Sequence, residues 1–278
     1  MNFKIVLDSG GEIPAELQNR HDIARVPLIL HIGDEVIIDD GTVSQKEIID
    51  KIAAAPTCPK TAAPSPETYR AAYDCGAEHV YAVTLSANLS SSYQSAEMGR
   101  KMLEEEKPGV KIHVFNSCSA SIGETLIAMK IIELEESGLS FEEVVAEADK
   151  YVDGLRTYFV LDNLETLRKN GRLSLMKLAA AQVLNIKPIC ASTQDGQIEQ
   201  IGMARGMKKA LAKMADLAAS RHESLNRRLG ISYANASERA GLLKQELMSR
   251  MDIAETVMAE TNGLSTVYAN DGGVIMCV

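Results

Sequence analysis

Residues 85–96 read LSANLSSSYQSA, five serines in twelve positions with neither a charge nor a glycine among them. A hydroxyl donates a hydrogen bond without carrying charge. Where such a cluster leads into a helix, it adds to the unpaired backbone N–H groups and the positive end of the dipole, and the combination favours an anion. Asp8-Ser9 and the run Ser117 through Ser121 in NSCSASIG are two further Ser-bearing stretches of the same kind. The plain alternative is that Ser90, and Ser117 or Ser119, are N-caps, a role Ser fills readily. A cap needs one hydroxyl, however, and residues 85–96 hold five.

Phosphate is a poor fit for these loops. The chain has no GxxxxGK[ST] and no GxGxxG, and no Lys or Arg follows the serines before Arg100. Neutral donors suit a singly charged group such as a carboxylate better. Serine catalysis requires a neighbouring base, and His21, His31, His79, His113 and His222 all fall outside the three Ser loops. Among Cys58, Cys75, Cys118, Cys190 and Cys277, only Cys118 sits where a nucleophile could act, and no His lies near it in sequence. The cysteines form no CxxC pair and no zinc spacing, and an odd count fits a reducing compartment. Asp39-Asp40 and the glutamates at 104–106 and at 133, 135 and 136 read as solvated turn and helix charges, so neither metal nor cofactor is expected.

The elements that must position these loops alternate. FKIVLDS (3–9), HVYAVTLS (79–86) and KIHVFNS (111–117) are apolar runs ending in polar residues, and helical patterns follow the last two. The helix after NSCSASIG closes at Gly138. Strands alternating with helices predict βαβ units and a parallel sheet, whose ligands sit beyond the carboxyl ends of its strands. All three Ser-bearing loops lie there. RVPLILHIGDEVIIDDG predicts a hairpin turning at Gly33-Asp34, and PTCPKTAAPSP, with four prolines in eleven residues, predicts a stiff extended segment.

After FEEVVAEADKYVDGL the pattern changes. YFVLDN reads as a strand, LETLRKNG as a short helix stopping at Gly171, SLMKLAAAQVLN as a helix, and IKPICAS with QIEQIGMA as a hairpin around TQDG. A long helix, a strand (RRLGISYAN), a helix (SERAGLLKQELMSRM) and strand-like DIAETVMAE and GGVIMCV complete the chain. The fold class expected is α/β in two domains. Residues 1–155 form an N-terminal parallel-sheet α/β/α sandwich, and residues 156–278 form a C-terminal α+β domain with a mainly antiparallel sheet.

Composition narrows the function classes. The 278 residues are 46% hydrophobic and 24% charged, with a net charge of −9 and 29 scattered Lys and Arg residues. An acidic chain without a basic face is a poor partner for nucleic acid or anionic membranes. No apolar run approaches the ~18 residues of a membrane span. A cytoplasmic protein without an integral membrane segment is expected.

With these motifs assembled, the chain resembles the DegV family of bacterial fatty-acid-binding proteins over most of its length. IVLDSGGEIP is similar to the family's opening strand and Asp-Ser loop, and KTAAPSPETY to its segment in which a Thr precedes a Pro-Ser pair. LSANLSSSYQSA resembles its Ser-rich loop, NSCSASIGE its Ser-Ala-Ser-x-Gly run, and FVLDNLETLRKNGRLS followed by VLNIKPI its most specific stretch. The resemblance implies a non-enzymatic carrier that holds a long-chain fatty acid such as palmitate, stearate or oleate between two domains and presents it to a fatty-acid kinase. It assigns the carboxylate to Thr61 and Ser90, with Ser91 beside it, and matches Arg172 and Arg205 to basic positions, Arg205 facing the kinase. Two departures stand out. The family's C-terminal His has Asn270 as its nearest counterpart in YANDGGVIMCV, and the Gly and Thr after the loop's Leu-Ser pair are Ser91 and Ser92.

Aliphatic residues expected along the tail are Leu164, Leu167, Leu173, Met176, Leu178 and Ile186. The competing reading is an enzyme or a sensor acting on a small carboxylate in the same cleft, with Cys118 or a loop serine as nucleophile.

Overall fold

The computed structural model describes residues 2–173, 185–221 and 227–278. The apolar run after the N-terminus forms β1 (Phe3–Asp8), and β2 (Ile23–Val26) pairs parallel to it. Next comes the expected hairpin of β3 (Ile29–Ile32) and β4 (Glu35–Ile38), with Gly33 at φ +60° in the turn. Helix α1 (Gln45–Ala54) starts at a reciprocal cap, Ser44 accepting from the Glu47 amide while Glu47 accepts from Ser44. Within the proline-rich segment β5 (Lys60–Ala62) joins β3, and α2 (Pro66–Tyr73) begins with proline at its first helical position, where no N–H is needed.

The βαβ pattern continues through β6 (His79–Thr84), α3 (Ser92–Glu106), β7 (Lys111–Asn116), α4 (Ile122–Glu136) and α5 (Phe141–Gly154). The parallel sheet has the order β2-β1-β6-β7. Chain order reverses direction at β1, so a crevice opens between the loops that leave β1 and β6. Both loops carry serines.

The rest of the chain contributes β8 (Thr157–Val160), α6 (Glu165–Lys169), β9 (Ile186–Ser192) and β10 (Ile198–Arg205). Then follow α7 (Met207–Arg221), β11 (Arg227–Tyr233), α8 (Ser237–Met248), β12 (Ile253–Glu260), α9 (Gly263–Ala269) and β13 (Val274–Cys277). The second sheet runs β10-β9-β8-β13-β11-β12, and only its β11–β12 pairing is parallel. Mixed α/β architecture, with one parallel and one mainly antiparallel sheet, is therefore the observed class. The helix expected over SLMKLAAAQVLN lies outside the described residues, as do Met176 and Leu178.

Between the sheets lies α4. Ile122, Leu126, Ile127, Ile131 and Ile132 are buried on different sides of it, because the helix meets β1 and β6 on one side and β11 and β13 on another. A helix apolar all round has to be enclosed. Contact with β11 is close: a Cβ on Gly230 would stand 2.6 Å from the Ile122 side chain. Helices α7 and α8 cover the second sheet through Leu211, Met214, Leu243 and Leu247.

Two charge assignments need correction. Asp39 is buried, not solvated: its carboxylate accepts from the Gly263 and Leu264 amides at 3.1 and 2.8 Å and so caps α9 from a distant part of the chain. Glu135 is also buried, bound by His79 Nδ1 at 2.6 Å and the Tyr81 hydroxyl at 2.5 Å. Among the described residues no helix is long and apolar enough to cross a membrane.

Since α4 is common to both sheets, Leu126→Ala should cost roughly 2–5 kcal/mol through lost burial and a residual cavity. Urea denaturation followed by circular dichroism should show a lowered midpoint in one cooperative transition, with both sheets lost together.

Candidate ligand site

A cavity of about 870 Å³, its open mouth included, lies where the Ser loops face the second sheet. Leu28, Leu85 and Leu89 line it from the N-terminal part, and Phe159, Leu161, Leu167, Ile198, Leu264 and Ile275 from the C-terminal part. Of the tail residues expected from sequence, Leu167 lines it, Leu173 is buried in the adjoining core, and Leu164 and Ile186 are half-buried. The aliphatic lining thus comes from both sides of the cleft, not from the second alone.

Hydroxyls around this wall differ in what they have left to give. Ser121 donates to Glu12 at 2.7 Å, Ser265 donates to the Gly10 carbonyl at 3.2 Å, and Ser119 and Thr157 bond each other at 2.5 Å, with the Ala120 carbonyl and Cys277 Sγ, at 3.4 and 3.7 Å, as further acceptors. Those protons are committed. Ser90 is different. Its oxygen accepts from the Ser92 amide at 3.2 Å, and its own proton has no acceptor among the described residues; Ser192, also on the wall, is in the same state, accepting from the Thr157 amide at 3.1 Å. Thr61 Oγ1 and the Tyr268 hydroxyl lie 2.9 Å apart, so one donates to the other and the second proton is free. Arg172 is held by its Nε on the Leu89 carbonyl at 3.1 Å and its Nη1 on the Asn170 carbonyl at 2.6 Å, which leaves Nη2 without a described partner. Thr61, Ser90, Arg172 and Tyr268 all line the cavity.

The serines of residues 85–96 divide the work of building the site. Ser86 donates to the Gly196 carbonyl at 2.8 Å, and Asn88 Nδ2 donates to the Asp195 carbonyl at 2.7 Å, tying the loop to the β9–β10 turn. Gly196 is required there: it has φ +78°, and a Cβ would stand 2.3 Å from the Ser86 hydroxyl. Ser92 is buried and donates to Asp8 at 2.7 Å.

Ser91 occupies the cap position of α3 without a side-chain cap bond, is exposed and does not line the cavity. The N-cap role expected for Ser90 is therefore not the one found, although its oxygen does take the Ser92 amide. Before α4 the cap position is Ser121, not Ser117 or Ser119, and its hydroxyl serves Glu12 instead of the helix.

Asn270 closes α9 at φ +54°, and its amide reaches Thr166 Oγ1 at 3.3 Å without lining the cavity. Arg205 is exposed at the end of β10. Tyr268 was not foreseen, because α9 has no helical periodicity long enough to read in sequence.

A group of buried carboxyls lies behind the Ser loops. Burial raises Asp8 above its ordinary range, against the opposing hydrogen bonds from Glu124, Ser92 and the Leu85 and Gly10 amides. Burial and the neighbouring Asp8 push Glu124 well up, so it keeps its proton. Burial likewise raises Glu12 to about 7, opposed by Ser121, Ser265 and the Asn262 amide.

Cys118 lines the cavity at φ +49°, and burial pushes its thiol above the ordinary value, opposite to what a nucleophile requires. Among the described residues no histidine lines the cavity. Among the described residues no group of His, Cys, Asp or Glu could hold a metal ion.

With this geometry in place, comparison with known proteins is informative. A family model described as "Uncharacterised protein, DegV family" matches residues 2–277. A DegV domain-containing protein of Streptococcus gordonii is 32% identical, the match covering 99% of this chain and 98% of the relative. The crystal structure of a DegV-family protein from Ruminococcus gnavus, refined with vaccenic acid, superposes with a TM-score of 0.97 at 47% identity, covering 100% of this chain and 99% of that one. The Streptococcus pneumoniae Fatty Acid Kinase (Fak) B3 protein loaded with linoleic acid superposes at 0.90 with 31% identity, covering 100% of this chain and 99% of that one.

The raised value for Glu12 carries a pH dependence. Between its unfolded value near 4.5 and its folded value of about 7, the folded state binds more protons than the unfolded state, so stability falls as pH rises through this window. The contribution is roughly 3 kcal/mol in all. In Glu12→Gln, chemical denaturation at intervals from pH 5 to 7.5 should show a flatter decline.

Proposed function

Because this chain belongs to the DegV family, we propose that it binds one long-chain fatty acid, such as palmitate, stearate or oleate, in the cleft between its two halves. The observation that carries this reading is the division within one cavity: aliphatic walls for most of its lining, and uncommitted donors on Thr61 with Tyr268, Ser90 and Arg172. A fatty acid has the matching form. Each buried methylene contributes ~0.8 kcal/mol, so a sixteen-carbon tail supplies on the order of 10 kcal/mol before entropy costs. Hydrogen bonds to the charged end contribute ~1.5–3 kcal/mol each. Tail burial sets affinity, while the donors set orientation and exclude neutral lipids.

In this reading Thr61 and Ser90 hold the carboxylate, and Tyr268 and Arg172 complete the set. Ser91 and Asn270 stand outside it, because the first is exposed and the amide of the second is engaged by Thr166. Residues 1–155 and 156–278 act as two domains that together form the acyl-chain tunnel. The protein is a carrier, not an enzyme: the raised thiol of Cys118 and the absence of a lining histidine disfavour the acyl-transfer alternative. Its partner is a fatty-acid kinase that acts on the presented carboxyl group, with exposed Arg205 on the surface that meets it. An odd number of cysteines fits a cytoplasmic site of action.

Denaturing organic extraction of the purified protein, followed by mass spectrometry against a mock-purified blank, should release a stoichiometric long-chain fatty acid. Release of no lipid, together with no binding of added fatty acid, would overturn the reading. Thr61→Ala and Ser90→Ala should each weaken binding of a fluorescent fatty acid by roughly tenfold or more while circular dichroism stays unchanged. Unaltered affinity in both variants would remove the assigned head-group site.

A further inference from the structure

Asp8 is fully buried at the carboxyl end of β1 and does not line the cavity. Withdrawing a carboxylate from water costs several kcal/mol unless hydrogen bonds compensate, so its location requires a reason. Its Oδ2 accepts from the Leu85 amide at 3.0 Å and from the Ser92 hydroxyl at 2.7 Å, and its Oδ1 accepts from the Gly10 amide at 2.8 Å. Leu85 and Ser92 bracket the loop that carries Ser90. A single oxygen therefore joins the two ends of that loop across the crevice between β1 and β6.

The direction of the hydrogen bonds beyond Ser92 follows from proton count. Ser92 has one proton, given to Asp8, so the Tyr69 hydroxyl 2.7 Å away must donate to Ser92 Oγ. The chain runs Tyr69 to Ser92 to Asp8. With Ser92 so fixed, its amide points at Ser90 Oγ and occupies a lone pair there, which leaves the Ser90 proton as a donor for the cavity. Glu124, buried nearby, has no hydrogen-bond partner for either carboxyl oxygen among the described residues, and burial together with the Asp8 charge pushes it well up, so Asp8 is the anion of the two.

We infer that Asp8 is a positioning residue for the fatty-acid head group, acting through Ser92 and the Leu85 amide to hold the Ser90 hydroxyl as a cavity-facing donor. The inference rests on the fatty-acid reading above. It explains why a buried anion stands outside the ligand site, and why asparagine cannot replace it. An amide at residue 8 would turn its NH2 toward either Gly10 N–H or the Leu85 and Ser92 donors, setting donor against donor.

The test compares hexadecanoic acid with 1-hexadecanol, ligands of equal chain length with and without a carboxylate, on the full-length wild type, Asp8→Asn and Ser92→Ala. The acid should weaken about tenfold in each variant while the alcohol stays within about twofold, so that discrimination between the two falls. A purely structural role would weaken both ligands equally, and that result, like an unchanged acid-to-alcohol ratio in folded variants, overturns the assignment. If Asp8→Asn fails to fold, Ser92→Ala decides alone, since it removes the link and leaves the carboxylate in place. A wild-type protein that binds acid and alcohol equally would instead overturn the head-group reading itself, and the assignment with it; that failure is distinct because it shows before any substitution.

Discussion

Burial of α4 is the constraint on which the rest of the molecule depends. A helix with Ile122, Leu126, Ile127, Ile131 and Ile132 spread around its surface keeps little beyond Lys130, Glu133 and Glu136 toward water, so two sheets must close on it. Each buried Ile or Leu contributes roughly 1.5–3 kcal/mol, which makes the helix the principal joint between the halves. Its position also settles where a cleft can form. The loop that starts α4, residues 117–121, follows β7 at the carboxyl edge of the parallel sheet and faces the start of β8, with Ser119 against Thr157. The cavity lies at that end, and the Ser loops line it.

Once that space exists, its chemistry depends on which hydroxyls are already committed. Most hydroxyls on its wall are bound to carboxylates, carbonyls or each other, and to a ligand they present carbon more than donor. The exceptions are Ser192, Ser90 and the Thr61–Tyr268 pair, and Arg172 adds a positive charge fixed by two carbonyls. Counting serines alone would make the whole wall look polar. Counting free protons separates an apolar channel from a small anion-holding group, and this separation is what makes the cavity suited to an amphiphile.

Much of this was legible in sequence, and what was not has physical causes. The three strands with polar ends, both hairpins and the closing glycines at 138 and 171 follow from periodicity and local turn chemistry. Helix α1 was missed although the Ser44-to-Glu47 cap is a local signal, and α2 was hidden by the prolines that precede and begin it. Strand β2 read as part of the following hairpin because Pro27 continues an extended run without a turn. Helix α9 is too short for periodicity and depends on Asp39, some 220 residues away in sequence, for its N-terminal cap, which no local window contains. The same nonlocality concealed Tyr268 and made Asp39 and Glu135 look like surface charges.

Asn270 shows how a departure from family pattern is absorbed. The position ends α9 with φ +54°, a conformation asparagine tolerates better than most residues, and its amide turns to Thr166, not into the cavity. A histidine lost from a head-group site removes a donor that is charged only when protonated. Arg172 supplies a guanidinium instead. Its guanidinium is locked to Leu89, in the loop that Asp8 closes, so the charge and the Ser90 hydroxyl belong to one rigid unit. On the proposed reading, the orientation of a carboxylate held by that unit is coupled to the buried anion behind the loop.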